Sequence, residues 1–279
     1  MSSCCGAAGY QRVFGPRFAR RLARRYRRRG LDRASRRVVE FLATQELEEA
    51  SVLEIGGGVG AIQLELLRRG AARTTNLELV DSYEADAAEL AAAAGMSGRV
   101  ERRQLDIAAD PEAVAPHDVV VLHRVVCCYP DHARLLGAAA GRATRLFVFS
   151  HPPGHRLLRA LAALENLGLR ATGTPFRAYV HSPAAMLAVL QEHGLRPVHE
   201  DRGAVWRVVG LARCDVPSPR RRRSPGRSSG SDIGEPRDGA GHRPVRERRS
   251  GAAAERRTPR SRGTGANVHG EGMTGIEPA

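Results

Sequence analysis

The sequence predicts an open α/β domain: a mostly parallel sheet with helices on both faces, closed by an antiparallel ending. Three observations carry this. Val52 to Ile55 is a short apolar run, interrupted by Glu54, that leads into Gly56, Gly57, Gly58 and Gly60. Beyond them Ile62, Leu64, Leu66 and Leu67 recur at helical spacing. Further short apolar runs then alternate with helical patterns, as in a chain that winds strand, helix, strand. Finally, 195–199 and 204–211 are two extended runs separated only by residues 200–203.

Taken in order, Pro16–Arg29 is a helix with proline in its first turn and Gly30 as its stop. Phe14, Phe18, Leu22 and Tyr26 make one apolar stripe on an arginine-covered rod. It is a helix packed on the domain, a lid over the site, or a contact for a membrane surface or nucleic acid. Asp32–Thr44 forms a second helix, presenting Val38, Val39, Phe41 and Leu42. Strand 52–55 and its glycine turn follow. Glycine allows positive φ and close approach of a ligand to the main chain, and the new helix turns its unpaired N–H groups toward that ligand. Thr75–Val80 is the second strand, Tyr83–Ala94 a helix, and Arg99 to Ile107 contains the third strand. His117–His123, nearly all apolar, suits a fourth strand buried on both faces, and Leu146–Ser150 is the fifth. Helices at 157–167 and 183–193 flank a loop with Phe176, Tyr179 and His181, and the antiparallel pair ends the domain.

In an open α/β sheet, ligands bind past the carboxyl ends of the strands where strand order reverses. His123, Tyr129 and His151 fall at such ends. The histidines are candidates for a general base and Tyr129 for orienting a substrate. Glu78 and Asp81 both lie where an acid accepts hydrogen bonds from a ribose diol.

Glu54-Ile-Gly56-Gly-Gly58-Val-Gly60 resembles motif I of the class I S-adenosylmethionine-dependent methyltransferases, (Asp/Glu)-x-Gly-x-Gly-x-Gly. The resemblance covers about residues 37–212. It implies a Rossmann-like fold with a mostly parallel seven-stranded sheet and a terminal antiparallel strand, and S-adenosyl-L-methionine as cofactor. It places Glu54 at the methionine end of that cofactor and Gly56, Gly58 and Gly60 against it. Glu78-Leu-Val-Asp-Ser-Tyr-Glu-Ala-Asp-Ala-Ala is similar to the family's Asp-Leu-Ser-x-x-Tyr-x-x-x-Ala, which favours Glu78 over Asp81 as the ribose ligand. Asp106 would accept from the adenine amino group with Ile107 covering the ring. His123, at the same crevice, is counted with the cofactor contacts as well as with the bases. Phe-Ser-His-Pro-Pro at 149–153 is similar to the Phe-x-Phe-Ala-Pro of magnesium-protoporphyrin O-methyltransferases. That implies O-methylation of a carboxylate or hydroxyl on a small acceptor.

Charge is unevenly spread. Residues 1–37 carry 12 Arg against one Asp, 38–212 carry 17 Arg against 21 acids, and 213–279 carry 15 Arg against 8 acids. All 44 basic residues are arginine, which points to a GC-rich coding sequence and weakens any inference from arginine to nucleic acid. The expected organisation is an arm over 1–37, a cofactor-binding domain over 38–213 and a disordered tail over 214–279. The tail's lack of periodicity and its richness in Ser, Pro, Gly and Arg also suit read-through of GC-rich non-coding sequence. No apolar run reaches transmembrane length, no signal peptide is evident, and the default location is the cytoplasm. The cysteines lack zinc spacings, so no metal is expected. Three rivals stay open. One is a nucleic-acid methylase using the basic arm, although His151-Pro-Pro-Gly follows the fifth strand rather than the fourth, where that class carries its (Asp/Asn)-Pro-Pro-(Tyr/Phe). Another is a nucleotide-binding oxidoreductase, which lacks its Gly-x-Gly-x-x-Gly. The last is a non-catalytic binder.

Overall fold

A computed structural model describes residues 7–214. Its sheet has seven strands in the order β3-β2-β1-β4-β5-β7-β6, built from β1 (Ser51–Ile55), β2 (Arg73–Glu78), β3 (Val100–Gln104), β4 (His117–Leu122), β5 (Ala143–His151), β6 (Leu195–Arg202) and β7 (Arg207–Arg213). All neighbours pair in parallel except β7, which runs against both β5 and β6. The sheet therefore reverses direction of winding between β1 and β4, and the site sits above that gap.

Side-chain alternation divides the strands between two cores. Leu53, Ile55, Val120, Leu122, Phe147 and Phe149 enter one, covered by α6 (His132–Ala140) and α8 (Pro183–Glu192) through Leu135, Leu136, Met186 and Leu190. Val52, Val119, Val121, Leu146 and Val148 enter the other, covered by α3 (Arg33–Ala43) and α4 (Ala61–Arg68) through Val38, Leu42, Ile62 and Leu66. Every residue of β1 is buried, so the glycine turn starts from a fixed point.

A third cluster joins α1 (Ala7–Val13), α2 (Pro16–Arg29) and α5 (Glu84–Ala93). The expected single stripe on the arm is divided here. Pro16 at N1 has no N–H to give the preceding turn, so the chain breaks at Gly15. Phe14 thus lies just past α1, with its ring 5.4 Å from Phe176 and 6.2 Å from Tyr10. On α2 the fully buried residues are Ala19 and Ala23, while Phe18, Leu22 and Tyr26 are half-buried. The arm thus lies close to the body on small residues. Asp32 caps α3, accepting from Ala34 N at 2.9 Å and Ser35 N at 3.0 Å, a cap worth about 0.5–2 kcal/mol.

Helices α1 and α6 are additions to the expected elements, and Asp131 caps α6 by accepting from Arg134 N. The terminal turn also shifts to 203–206, because Glu200–Arg202 continues β6 opposite Val209–Arg207. Pro197 is tolerated there because β6 is an edge strand. Residues 215–279, most of the expected tail, lie outside the described residues. Among the described residues no helix is long and apolar enough to cross a membrane, and no group of three His, Cys, Asp or Glu is placed to hold a metal.

Candidate active site

The site begins at the turn between β1 and α4. Gly56, Gly58 and Gly60 have φ of +68°, +59° and +78°. A Cβ on Gly56 would lie 2.5 Å from Val125 Cγ2, and one on Gly57 would lie 2.5 Å from Asn76 Oδ1. The first therefore needs glycine for both conformation and space, the second for space alone. The turn is held from β2 and β3. Gly57 N donates to Asn76 Oδ1 at 3.0 Å, Gly58 N donates to Glu78 Oε1 at 2.5 Å, and Arg102 Nη2 donates to Gly58 O at 2.8 Å. Arg102 is fixed in turn by Glu84, at 3.0 Å.

Two carboxylates are thus sunk under the turn. Burial pushes the Glu54 carboxyl up to about 8, with the nearby Glu78 charge adding to it. Burial likewise raises Glu78 to about 7, against the Gly58 N–H that favours its charged form. Glu54 Oε2 is buried with no hydrogen-bond partner. A cationic ligand over the turn would offset both costs.

Two cavities meet over Gly56. One runs over the ends of β2 and β3, where Glu78, Asp106 and Ile107 face Tyr10 and Phe14 across it. The other covers Glu54 and the glycines and reaches Asp32, Ser35, His123 and Arg124. Glu54, Gly56, Gly58, Glu78, Asp106, Ile107 and His123 therefore line one connected cleft. Gly60 N-caps α4 in the left-handed conformation beneath it. Asp106 accepts from Ala108 N at 3.0 Å and from the Tyr129 hydroxyl at 2.9 Å, which places Tyr129 in the first cavity. Burial, together with the Asp106 charge, raises the Tyr129 hydroxyl. Asp81 is exposed and accepts from Gln11 Nε2 at 3.4 Å.

The two histidines are buried differently. His123 Nδ1 lies 2.9 Å from Ser150 Oγ and Nε2 lies 3.2 Å from Ser35 Oγ. Arg124 N also donates to Ser150 Oγ, at 2.9 Å. Burial, then the Arg124 charge, lowers His123 to about 3, so it is neutral at pH 7. His151 stacks on Phe149 at 5.5 Å and donates from Nδ1 to Pro152 O at 2.9 Å; burial lowers it as well. Arg124 itself is a non-glycine residue at φ +62°, its guanidinium paired with Asp32 at 3.0 Å. Burial alone would raise Asp32, but Arg124 and the Ser35 N–H outweigh it and hold the carboxyl low.

Sequence reasoning missed Ser35, Tyr10 and Phe14 as walls of this cleft and Asn76, Arg102 and Ser150 as its supports. A signal existed for one of them. Asn is disfavoured in a strand interior, yet Asn76 is fully buried in β2, and Arg102 is its register partner in β3.

This strand order, with one reversed strand and a glycine turn after β1, is the class I methyltransferase fold. Solved structures bear out the fold. A magnesium protoporphyrin IX methyltransferase from Synechocystis PCC 6803, with bound SAH, is similar at a TM-score of 0.53 and 20% identity, over 74% of this chain and 93% of that one. An O-methyltransferase family protein from Burkholderia thailandensis matches at a TM-score of 0.52 and 19% identity, over 65% of this chain and 56% of that one. Human N-acetylserotonin methyltransferase in complex with SAM matches at 0.53 and 17%, over 73% and 57%. The chain thus spans just over half the length of the last two. No protein-family model and no curated protein sequence matches the chain.

Proposed function

We propose that the protein is an S-adenosylmethionine-dependent methyltransferase acting on the oxygen of a small-molecule acceptor in the cytoplasm, with residues 38–213 as its cofactor-binding domain and 1–37 as a covering arm. One observation carries the reading: the two carboxylates under the glycine turn, Glu54 with an unpaired oxygen and Glu78 on Gly58 N, wall a cleft at the point where strand order reverses. These residues fit a ligand with a cationic end and a ribose. Glu54 and the glycines would hold the charged end, Glu78 the ribose, and Asp106 with Ile107 the base. When bound, S-adenosylmethionine supplies an electrophilic methyl group on a sulfonium.

The chain's own contribution is positional. Holding a nucleophile in line can supply about 7–11 kcal/mol of a barrier. Tyr10 and Phe14 close the cleft against water on the side of Asp106. Tyr129 fixes Asp106 through its hydroxyl. His123, neutral and held between two serines, ties β4 to β5 and α3, and positions Arg124 through Ser150. Of the two histidines expected as bases, His123 borders the cleft and His151 lines neither of its two cavities, so a base would have to be His123 released from Ser35 or Ser150.

Calorimetric titration of the full chain with S-adenosylmethionine is expected to give micromolar affinity, about −8 kcal/mol. Glu78→Ala should weaken it by about 1.5–3 kcal/mol for a lost charged hydrogen bond, and NAD should give no heat. Folded protein that gives no heat with S-adenosylmethionine overturns the proposal.

A further inference from the structure

Beyond Glu54 and the glycines, the cleft reaches Arg25, Asp32 and Arg124, and these same three residues line a further cavity of about 340 Å³. That volume is within the range of small-molecule sites, about 300–1,000 Å³. Its walls also bring Arg33, Arg37 and the indole of Trp206 together. Asp32 lies 3.0 Å from Arg124 and 3.8 Å from Arg25, and Asp201 lies 2.9 Å from Arg37. Among the lining residues four guanidiniums meet one carboxylate, Asp32, and three of the four belong to the arginine-rich stretch 1–37.

Arg124 is the least surface-like of the four. Its side chain is 14% exposed, and its Nε is buried without a partner. The guanidinium carbon lies 5.3 Å from the Trp206 ring centroid. Its backbone sits at φ +62°, a conformation that costs about 1–2 kcal/mol for a residue with a Cβ. A solvated arginine needs neither burial nor that strain. Trp206 also walls an apolar cavity with Phe176 and Tyr179, so the indole divides a charged space from an apolar one. A planar guanidinium pairs with a carboxylate through two parallel hydrogen bonds, and aromatic rings pack against an indole.

We propose that this cavity is the acceptor site, and that it selects a compound carrying both a carboxylate and a flat aromatic ring. The carboxylate faces Arg124 and Arg33, and the ring lies against Trp206. Calling the ligand an acceptor rests on the methyltransferase reading; its binding does not.

Trp206 is the only tryptophan of the chain, so its fluorescence reports this cavity directly. The probe is phenylpropionate, with phenylpropionamide as its uncharged twin and inorganic phosphate as an anion without a ring. Titrating the full chain with phenylpropionate should give a saturable change in emission. The amide should bind at least about tenfold more weakly for loss of one charged hydrogen-bonded pair, and phosphate should not compete at equal concentration. Arg124→Gln should weaken phenylpropionate about tenfold or more by the same loss. Arg33→Gln, a change at an exposed position that spares the fold, should weaken it about threefold, as expected of a partly screened charge. No change in emission, or equal binding of acid and amide, overturns the proposal; full competition by phosphate overturns the ring requirement. Calorimetry with S-adenosylmethionine on the same samples separates the two readings. Cofactor heat without acid discrimination removes the acceptor site alone, whereas acid discrimination without cofactor heat removes the methyltransferase.

Discussion

The carboxyl ends of β1 and β2 and those of β4 and β5 carry polar groups of opposite character in opposite states of completion. Under the glycine turn, Glu54 and Glu78 are raised by burial, and Glu54 Oε2 has no partner. A few ångströms of sheet away, His123 uses both ring nitrogens on serines, and His151 gives Nδ1 to a carbonyl. Buried polar groups that are fully paired stabilise; buried charge that is not paired is a cost the fold retains. The acidic side is therefore built for something that arrives, and the histidine side is built to hold the scaffold still.

The largest effect should come from filling the turn itself. Gly56→Ala places a Cβ 2.5 Å from Val125 Cγ2 at φ +68°. Strain of about 1–2 kcal/mol adds to overpacking of about 1–3 kcal/mol. Gly95 has the same φ of +68° with nothing within 4 Å, so Gly95→Ala should show only the strain. Urea unfolding of the two variants separates these contributions. Equal losses would mean that Val125 gives way and the turn is looser than its geometry suggests.

The histidine side should respond to removal as structure responds. His123→Ala leaves Ser35 and Ser150 without their partner and should cost about 1–3 kcal/mol of unfolding free energy. His123 also leaves a pH signature. Its folded pKa of about 3 lies below the unfolded value of 6.5, so the folded state binds fewer protons in that interval. Its contribution is complete above pH 6.5 and is lost as pH falls from 6.5 toward 3. The variant should lose that part of the acid sensitivity, seen as a flatter dependence of Tm on pH below 6.5.

How much of this could be read from the chain follows from how local each feature is. The strands, the glycine turn and Glu78 are set by neighbours in sequence: a β-branched run, four glycines, an acid ending a strand. The seven-stranded, mostly parallel sheet was expected from the resemblance to motif I, and its strand order is a long-range property that no local pattern carries. Helix α6 was missed because its apolar face is two leucines followed by small residues, Gly137 to Ala140, a weak periodic signal, and α1 because Gly15-Pro16 hides the break before it. The positions of Asn76 and Arg102 under the turn depend on register between β2 and β3, a long-range pairing. The cavity around Trp206 is less local still, since it needs α2, α3, the end of β4 and the β6–β7 turn at once. No window of sequence contains it.

The acidic side predicts the opposite pH dependence. Glu54 and Glu78 have folded values of about 8 and about 7, above the ordinary 4.5, so the folded state binds more protons than the unfolded one between those limits. Their contribution is complete below 4.5 and is lost as pH rises toward 8. Folded His123 is neutral through this interval, and its unfolded form loses its remaining charge as pH rises past 6.5, so the carboxylates dominate there. Without ligand, stability should fall by about 1–2 kcal/mol between pH 6.5 and 8, at up to about 1.4 kcal/mol per unit for each proton. A cationic ligand favours the ionised pair, so binding at pH 7 should release protons. Calorimetry in two buffers of different ionisation enthalpy should give different observed heats. Identical heats would mean that the carboxylates are already charged, and that the two halves of the site differ less than their burial implies.

The smallest effect should come from the other acid near the end of β2, and its smallness makes it informative. Asp81 lies three residues beyond Glu78 and is the alternative ribose ligand by sequence position alone. It is exposed, and it accepts from Gln11 Nε2 at 3.4 Å, a long bond to the arm. Glu78 is 7% exposed and accepts from the turn at 2.5 Å. An exposed charge beside water exchanges one set of hydrogen bonds for another, so Asp81→Ala should change cofactor affinity by no more than about 0.5 kcal/mol. Glu78→Ala, in the same titration, should cost several times that. If Asp81→Ala proved the costlier of the two, the ribose would lie nearer the arm than the turn. Glu78 would then be a buttress for Gly58, and the acidic side, like the histidine side, would be scaffold.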